Sequence, residues 1–164
     1  MADLKACFEK LGYGSVQTYG NSGNVIFTTA STDPRKLESH IETALATNFS
    51  SSIGVFIRNL DDMKEVMGAI PKDWQTSSER KYDIIFLGQT IDNPKIVHEL
   101  EPKPGIEELQ YRPGVLFWSV NMRDFSKSNM SKIVGTAMHQ EMTIRGPSTI
   151  RKVYEQMSRL SEAY

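Results

Sequence analysis

Thr18-Tyr19-Gly20-Asn21-Ser22-Gly23-Asn24-Val25-Ile26-Phe27 sets a turn rich in Gly, Asn and Ser between two strand-like runs. Gly and Asn accept positive φ at little steric cost, whereas Val, Ile and Phe suit a pleated, half-buried surface. The stretch predicts a hairpin, with short strands at Val16 to Tyr19 and Asn24 to Thr28. Upstream, Leu4, Phe8 and Leu11 share one helical face, and Gly12 and Gly14 close that helix. Downstream, Asp33-Pro34 reads as an N-cap followed by proline at the first helical position, with Leu37, Ile41 and Leu45 behind it at helical spacing. Ile53 to Arg58 reads as a strand. Leu60, Met63 and Met67 mark a short helix capped by Asn59 or Asp61. The first half thus runs helix, strand, strand, helix, strand.

Periodicity disappears between Gly68 and Arg80, so a linker at 71–80 is expected to separate an N-terminal subdomain, 1–70, from a C-terminal one, 81–164. Trp74 is expected to anchor it. Tyr82 to Leu87 is an apolar run of strand length, the pattern of a central strand. Asn93-Pro94 starts a helix with Ile96, Val97 and Leu100 inward, and Pro113-Gly114 joins Leu109 to Arg112 with Val115 to Val120 in a type II turn. A helix is predicted over Ser126 to Thr136, burying Met130, Ile133 and Val134, followed by a strand, Met142 to Arg145. A last helix carries Ile150, Val153, Tyr154, Met157 and Leu160. This is βαββαβ plus a terminal helix, the split order of a ferredoxin-like domain, and the first half repeats it without the first strand.

Thr18 to Phe27 also carries a resemblance. Together with Met1-Ala2-Asp3-Leu4, with Leu11-Gly12-Tyr13, and with Thr143-Ile144-Arg145 followed by Thr149-Ile150-Arg151-Lys152, it is similar to the signature of the bacterial family known as domain of unknown function 1697. The chain departs from that signature at Gly20 and Asn21, where members carry an aliphatic residue and Gln, and at Gly146-Pro147-Ser148. The resemblance implies an α+β fold of two tandem ferredoxin-like (alpha-beta plait) subdomains and names no reaction. Members usually carry an apolar strand and an Arg-Gly-Ile-Asn-Val-Gly-Gly-like segment ahead of the Met-Ala-Asp-Leu. The N-terminal subdomain is therefore expected to lack its first strand, and to compensate by strand addition from another chain, by self-association through unpaired sheet edges, or by rearrangement.

Composition narrows the classes of function. The 164 residues carry 19 Lys and Arg against 20 Asp and Glu, a formal net charge of -1, which gives no global attraction to nucleic acid or acidic membranes. One cysteine, Cys7, excludes an internal disulfide and fits a reducing, cytoplasmic setting with a packing role. No run approaches the roughly 20 apolar residues that span a bilayer, so no membrane partner is expected. His40, His98 and His139 are isolated in sequence, giving no metal spacing, and no motif demands a cofactor.

Two places concentrate chemistry. The loop Tyr19, Asn21, Ser22, Gly23, Asn24 offers a hydroxyl, amides and glycine N–H groups to a phosphate or carboxylate; alternatively its Gly and Asn residues simply make a turn. It is followed by a strand, unlike a Walker or Rossmann loop, and lacks the glycine spacing of a nucleophile elbow. Arg145, Thr149, Arg151 and Lys152 stand where a strand passes into a helix, a natural anion site, unless Ser148 or Thr149 merely caps that helix. Arg123, Lys127 and Lys132 make residues 121–152 the most basic stretch. Tyr111, Phe117 and Trp118 on the second hairpin are expected in the core rather than on a base-stacking platform. Catalytic residues are not specified. The reading is a non-catalytic binding protein for an anionic ligand, a nucleotide or single-stranded nucleic acid; the alternatives are a small-molecule enzyme with a site between the subdomains and a protein–protein interaction module.

Overall fold

The computed structural model describes residues 1–50, 52–75 and 77–163. The chain forms two compact units, one of residues 1–65 with 151–163, the other of residues 66–150.

In the first unit, helix α1 (Ala2–Lys10) precedes strands β1 (Gly14–Tyr19) and β2 (Asn24–Thr28), which pair antiparallel in a two-stranded sheet. Helix α2 (Pro34–Phe49) starts as its sequence dictates: the Asp33 carboxylate accepts from the N–H groups of Arg35 and Lys36, and Pro34 stands in the first turn. Its buried stripe, Leu37, Ile41 and Leu45, has the expected helical spacing. Cys7, Phe8, Val16, Ile41 and Leu45 form the core, and Phe8, Tyr13 and Phe27 pack on it with ring centroids 4.5 to 5.9 Å apart. Cys7 is buried as a small apolar side chain. Helix α3 (Leu60–Ala69) opens with reciprocal bonds, Asn59 N–H to Asp62 Oδ2 and Asp62 N–H to Asn59 Oδ1, each 2.9 Å.

The second unit holds a four-stranded antiparallel sheet of β3 (Arg80–Leu87), β4 (Glu107–Arg112), β5 (Val115–Asn121) and β6 (Met142–Arg145) in the order β4-β5-β3-β6. The apolar run in β3 is central, as its composition predicts. Short helices α4 (Ile96–Leu100) and α5 (Ala137–Gln140) lie in the connections, and α6 (Pro147–Glu162) ends the chain. Ile85, Leu87, Ile96, Leu116, Trp118 and Val120 lead the core on one sheet face, each fully buried aliphatic side chain stabilising by about 2 kcal/mol. On the other face Trp74 lies 4.9 Å from the Tyr82 ring and 6.1 Å from Phe117. Gly114 takes φ 78° in the β4–β5 turn, and its N–H reaches Asp92 at 2.7 Å.

Two expectations are corrected. Ser126 to Thr136 is not a continuous helix but 3-10 turns at Met122–Lys127 and Met130–Lys132, leading to α5. The cause is remote: the carboxylate of Glu107, only 6% exposed, takes the N–H groups of Asn129 (2.7 Å) and Met130 (3.4 Å), together with Lys103 N–H (3.2 Å) and the Trp118 indole (2.8 Å). Amides bonded to Glu107 are not available to a regular helix. Nor, among the described residues, do residues 53–58 join a ladder. The Val55 and Ile57 N–H groups donate instead to Glu42 and Glu38 of α2, both at 2.9 Å.

Glu107→Ala should strand four donors and lower unfolding stability by about 3 kcal/mol, with Glu107→Gln intermediate, measured by urea denaturation. Burial, and then the hydrogen bond and charge of Asp92, raise the Tyr111 phenol above the ordinary tyrosine value. The folded state therefore holds this proton more tightly than the unfolded chain. That contribution to stability is complete below about pH 10 and is lost as pH rises through the folded-state value. Spectrophotometric titration should show a late-titrating tyrosine that shifts downward in Asp92→Asn.

Candidate functional site

The β1–β2 turn and the β6–α6 junction hold the nine sequence-nominated residues, and they divide between the units. Tyr19, Asn21, Ser22, Gly23, Asn24, Arg151 and Lys152 belong to the first unit; Arg145 and Thr149 belong to the second.

In the turn, Gly20 and Gly23 adopt φ 63° and 76°, the left-handed region that favours glycine. Asn24 Nδ2 donates to the Tyr19 carbonyl at 3.0 Å and to Ser22 Oγ at 3.1 Å. The Asn24 amide therefore braces the loop from within, and Tyr19 and Asn24 form the last register pair of the ladder. These bonds account for Asn24 and the two glycines as turn-forming residues, while Asn21 and Ser22 remain on its exposed surface.

At the second place, the register pairs Ile84 with Arg145 and Phe86 with Thr143, so Arg145 shares the sheet face of Tyr82, Ile84 and Phe86. Its Nη1 donates to Thr143 Oγ1 and to the Ile144 carbonyl, both at 2.8 Å. Half-burial lowers its pKa by desolvation. Helix α6 begins at Pro147, which puts Gly146 at the cap position and Ser148 and Thr149 inside the first turn. The expected capping by Ser148 or Thr149 is thereby corrected: the cap residue is a glycine, which offers no side-chain acceptor to the first-turn amides. Farther along, Lys152 Nζ bonds Glu155 at 2.9 Å, and Arg159 bonds the same carboxylate at 2.7 Å. These cations hold Glu155 below the usual carboxylate range, Lys152 contributing most.

The remaining basic side chains disperse. Lys127 pairs with Asp124 at 2.8 Å, while Lys132 lines an open depression of about 310 Å³ with Leu100, Ile133 and Met138, a feature no local pattern announces. Phe117 and Trp118 point to opposite sheet faces and are 3% and 2% exposed, so they serve the core as expected. Trp118 is held by Glu107, and Lys81 Nζ lies 5.4 Å from its ring centroid. His40 bonds the Tyr13 hydroxyl at 3.2 Å. Among the described residues, no group of three or more His, Cys, Asp and Glu side chains converges as a metal site would. Among them also, no helix is long and apolar enough to cross a membrane.

A family model described as "Protein of unknown function (DUF1697)" matches residues 1–117. The chain belongs to this family. The match covers the β1–β2 turn and ends before Arg145 to Lys152, so the resemblance read in that later segment lies outside it. Among solved structures, the chain is similar to the conserved bacterial protein SP0830 from Streptococcus pneumoniae, with a TM-score of 0.79 and 22% identity over 96% of this chain and 88% of that one. At that identity the likeness is one of fold. No curated protein matches. The family's description assigns no activity, so function must be argued from the residues themselves.

A Cβ added at Gly23 would meet nothing within 4 Å, so the cost of substitution there is conformational alone. Gly23→Ala and Asn24→Ala are each expected to lower stability by about 1 kcal/mol, read from the urea midpoint.

Proposed function

We propose that this family member is a non-catalytic binding protein for an anionic ligand, a nucleotide or single-stranded nucleic acid, with its principal contact at the β6–α6 junction. The observation that carries this reading is the pairing of a half-buried Arg145 with a glycine-capped helix start one residue later. Backbone N–H groups in the first turn and the helix dipole attract negative charge, and a cation beside them adds a directed contact. The Thr149 hydroxyl supplies a further donor. Arg151 and Lys152 follow on the same helix, and Tyr19, Asn21, Ser22, Gly23 and Asn24 are proposed as secondary contacts.

The architecture we infer beneath this function is a pair of ferredoxin-like subdomains, at 1–70 and 81–164, joined by a linker at 71–80 in a cytoplasmic protein. Support comes from the order β4-β5-β3-β6 with every neighbouring pair antiparallel, the order that a split βαβ arrangement would give. The first unit supports it through its succession of α1, β1, β2 and α2, parallel to that of α4, β4 and β5.

The test is fluorescence anisotropy with a labelled mixed-sequence single-stranded RNA across a salt series, with ATP as competitor. Affinity is expected to fall with salt at a slope of about -0.7 per phosphate engaged. Arg145→Ala should weaken binding about tenfold with folding intact, and Lys152→Ala should have a smaller effect because Glu155 already engages that cation. Absence of binding at low salt to either RNA or ATP overturns the reading.

A further inference from the structure

Strand β4 stands at one end of the second unit's sheet, paired among the described residues with β5 alone. In an antiparallel ladder, alternate residues turn both backbone groups toward the neighbouring strand and the others turn both away. Glu107 N–H bonds the Lys103 carbonyl at 3.1 Å, outside the ladder, so it belongs to the outward set, and Leu109 and Tyr111 share its phase. The turn at Pro113-Gly114 agrees. A two-residue turn makes its flanking pair, Arg112 and Val115, a hydrogen-bonded one, which sends the backbone groups of Arg112, Gln110 and Glu108 toward β5. The N–H and C=O groups of Leu109 and Tyr111 therefore face outward from the sheet and make its edge.

The side chains along this edge are ordered as well. Glu108, Gln110 and Arg112 are exposed on one face, while Leu109 and Tyr111 lie half-buried against the core on the other. Glu108 Oε1 bonds Arg80 at 2.6 Å, yet the glutamate side chain is still 74% exposed. A negative and a positive charge thus stand at the two ends of the strand's outer face, with Gln110 midway between them. A strand that carries opposite charges symmetrically about its centre is complementary to itself when turned round.

We propose that β4 pairs antiparallel with the β4 of a second copy of this chain, about a twofold axis through Gln110. In this register Leu109 faces Tyr111 of the partner subunit, both from the outward set, and the two symmetry-related pairs exchange backbone hydrogen bonds in both directions. Glu108 faces the partner's Arg112 in the closer, non-hydrogen-bonded type of pair, where Cα atoms lie about 4.5 Å apart, and symmetry repeats the ion pair. A register changed by two residues keeps the hydrogen-bond phase but sets Gln110 opposite Glu108 or opposite Arg112, and both ion pairs are lost. The pairing also has natural ends. Pro113, the next outward residue, has no N–H, and the Glu107 N–H that would face it is already held by Lys103. Six-residue strands make an interface at the small end of specific ones, so the dimer is a weak one that forms as concentration rises. The occupant is a second copy because the complementarity is of β4 with itself.

The experiment is sedimentation equilibrium of the full chain from about 10 μM to about 1 mM, with residue-resolved amide exchange at both ends of that range. A reversible monomer–dimer equilibrium, with exchange at Leu109 and Tyr111 slowed about tenfold in the concentrated sample, is the expected result. Glu108→Arg and Arg112→Glu should each weaken self-association about tenfold, because each sets like charges opposite one another. In Glu108→Arg the Arg80 guanidinium keeps its bond to Ser119 Oγ at 2.9 Å, so the sheet retains its local contacts. Mixed in equal amounts, the two variants should form a heterodimer about as tight as the parent dimer, since one strand then carries arginine at both positions and the other glutamate at both. Glu108→Gln, which removes the charge without repulsion, should weaken the dimer by only about threefold. A chain that stays monomeric at about 1 mM overturns the proposal. So does a dimer that neither charge reversal weakens, or one that leaves exchange at Leu109 and Tyr111 unchanged, since it uses another surface.

Discussion

The Glu107 carboxylate is the constraint on which the second unit depends. It is buried, and a buried carboxylate costs several kcal/mol unless its lone pairs are occupied. Oε1 accepts from Lys103 and Asn129, and Oε2 from Trp118 and Met130. These donors come from the approach to β4, from β5 and from the β5–β6 connection, so one side chain ties three separate parts of the chain together. Satisfying the charge and closing the sheet over its core are the same event. The fixed indole then provides the surface near which Lys81 lies while bonding Asp83, and against which Phe125 packs edge-on.

Glutamates on α2 perform a related service in the first unit, with a different permanence. Glu107 is enclosed and meets four donors, so its withdrawal would leave four amide or indole groups without partners. Glu38 and Glu42 are half-buried, and each holds one amide of the 53–58 segment. The chemistry is shared, and burial sets how much each bond contributes.

This difference also explains what was legible in the sequence. Local periodicity announced α1, α2, α6 and both hairpins, because Leu37, Ile41 and Leu45, or Pro113 with Gly114, carry their instruction within a few residues. It misplaced the helix at Ser126 to Thr136 and the ladder at Ile53 to Arg58. In both places a glutamate distant in sequence takes the backbone amides, from 22 residues away at Asn129 and 19 at Ile57, and no window of local pattern contains both partners. At the candidate site the turn chemistry of Gly20, Gly23 and Asn24 was readable. The cap at Gly146 was missed, because Ser148 and Thr149 were weighed as caps and the preference of Pro147 for the first helical position was not. The half-burial of Arg145 was not readable, because it follows from the pairing of Arg145 with Ile84, far earlier in the chain.

Glu107 also bears on the proposal that the β6–α6 junction takes an anion. Its four contacts show this fold holding a negative charge with oriented N–H dipoles, one from an indole and three from the backbone. The start of α6 presents backbone donors of the same kind, in the first turn of a 16-residue helix whose cap is a glycine. Arg145 differs from a surface arginine in that burial disfavours its charged form. An anion arriving beside such a guanidinium interacts with it in a medium less screened than water, so the same contact is worth more there than at Lys152, which is exposed and already meets Glu155. On the proposed reading, affinity at this corner would rest on one half-buried cation that immediately precedes the glycine cap in sequence, and the chain's formal net charge of -1 is no obstacle to it.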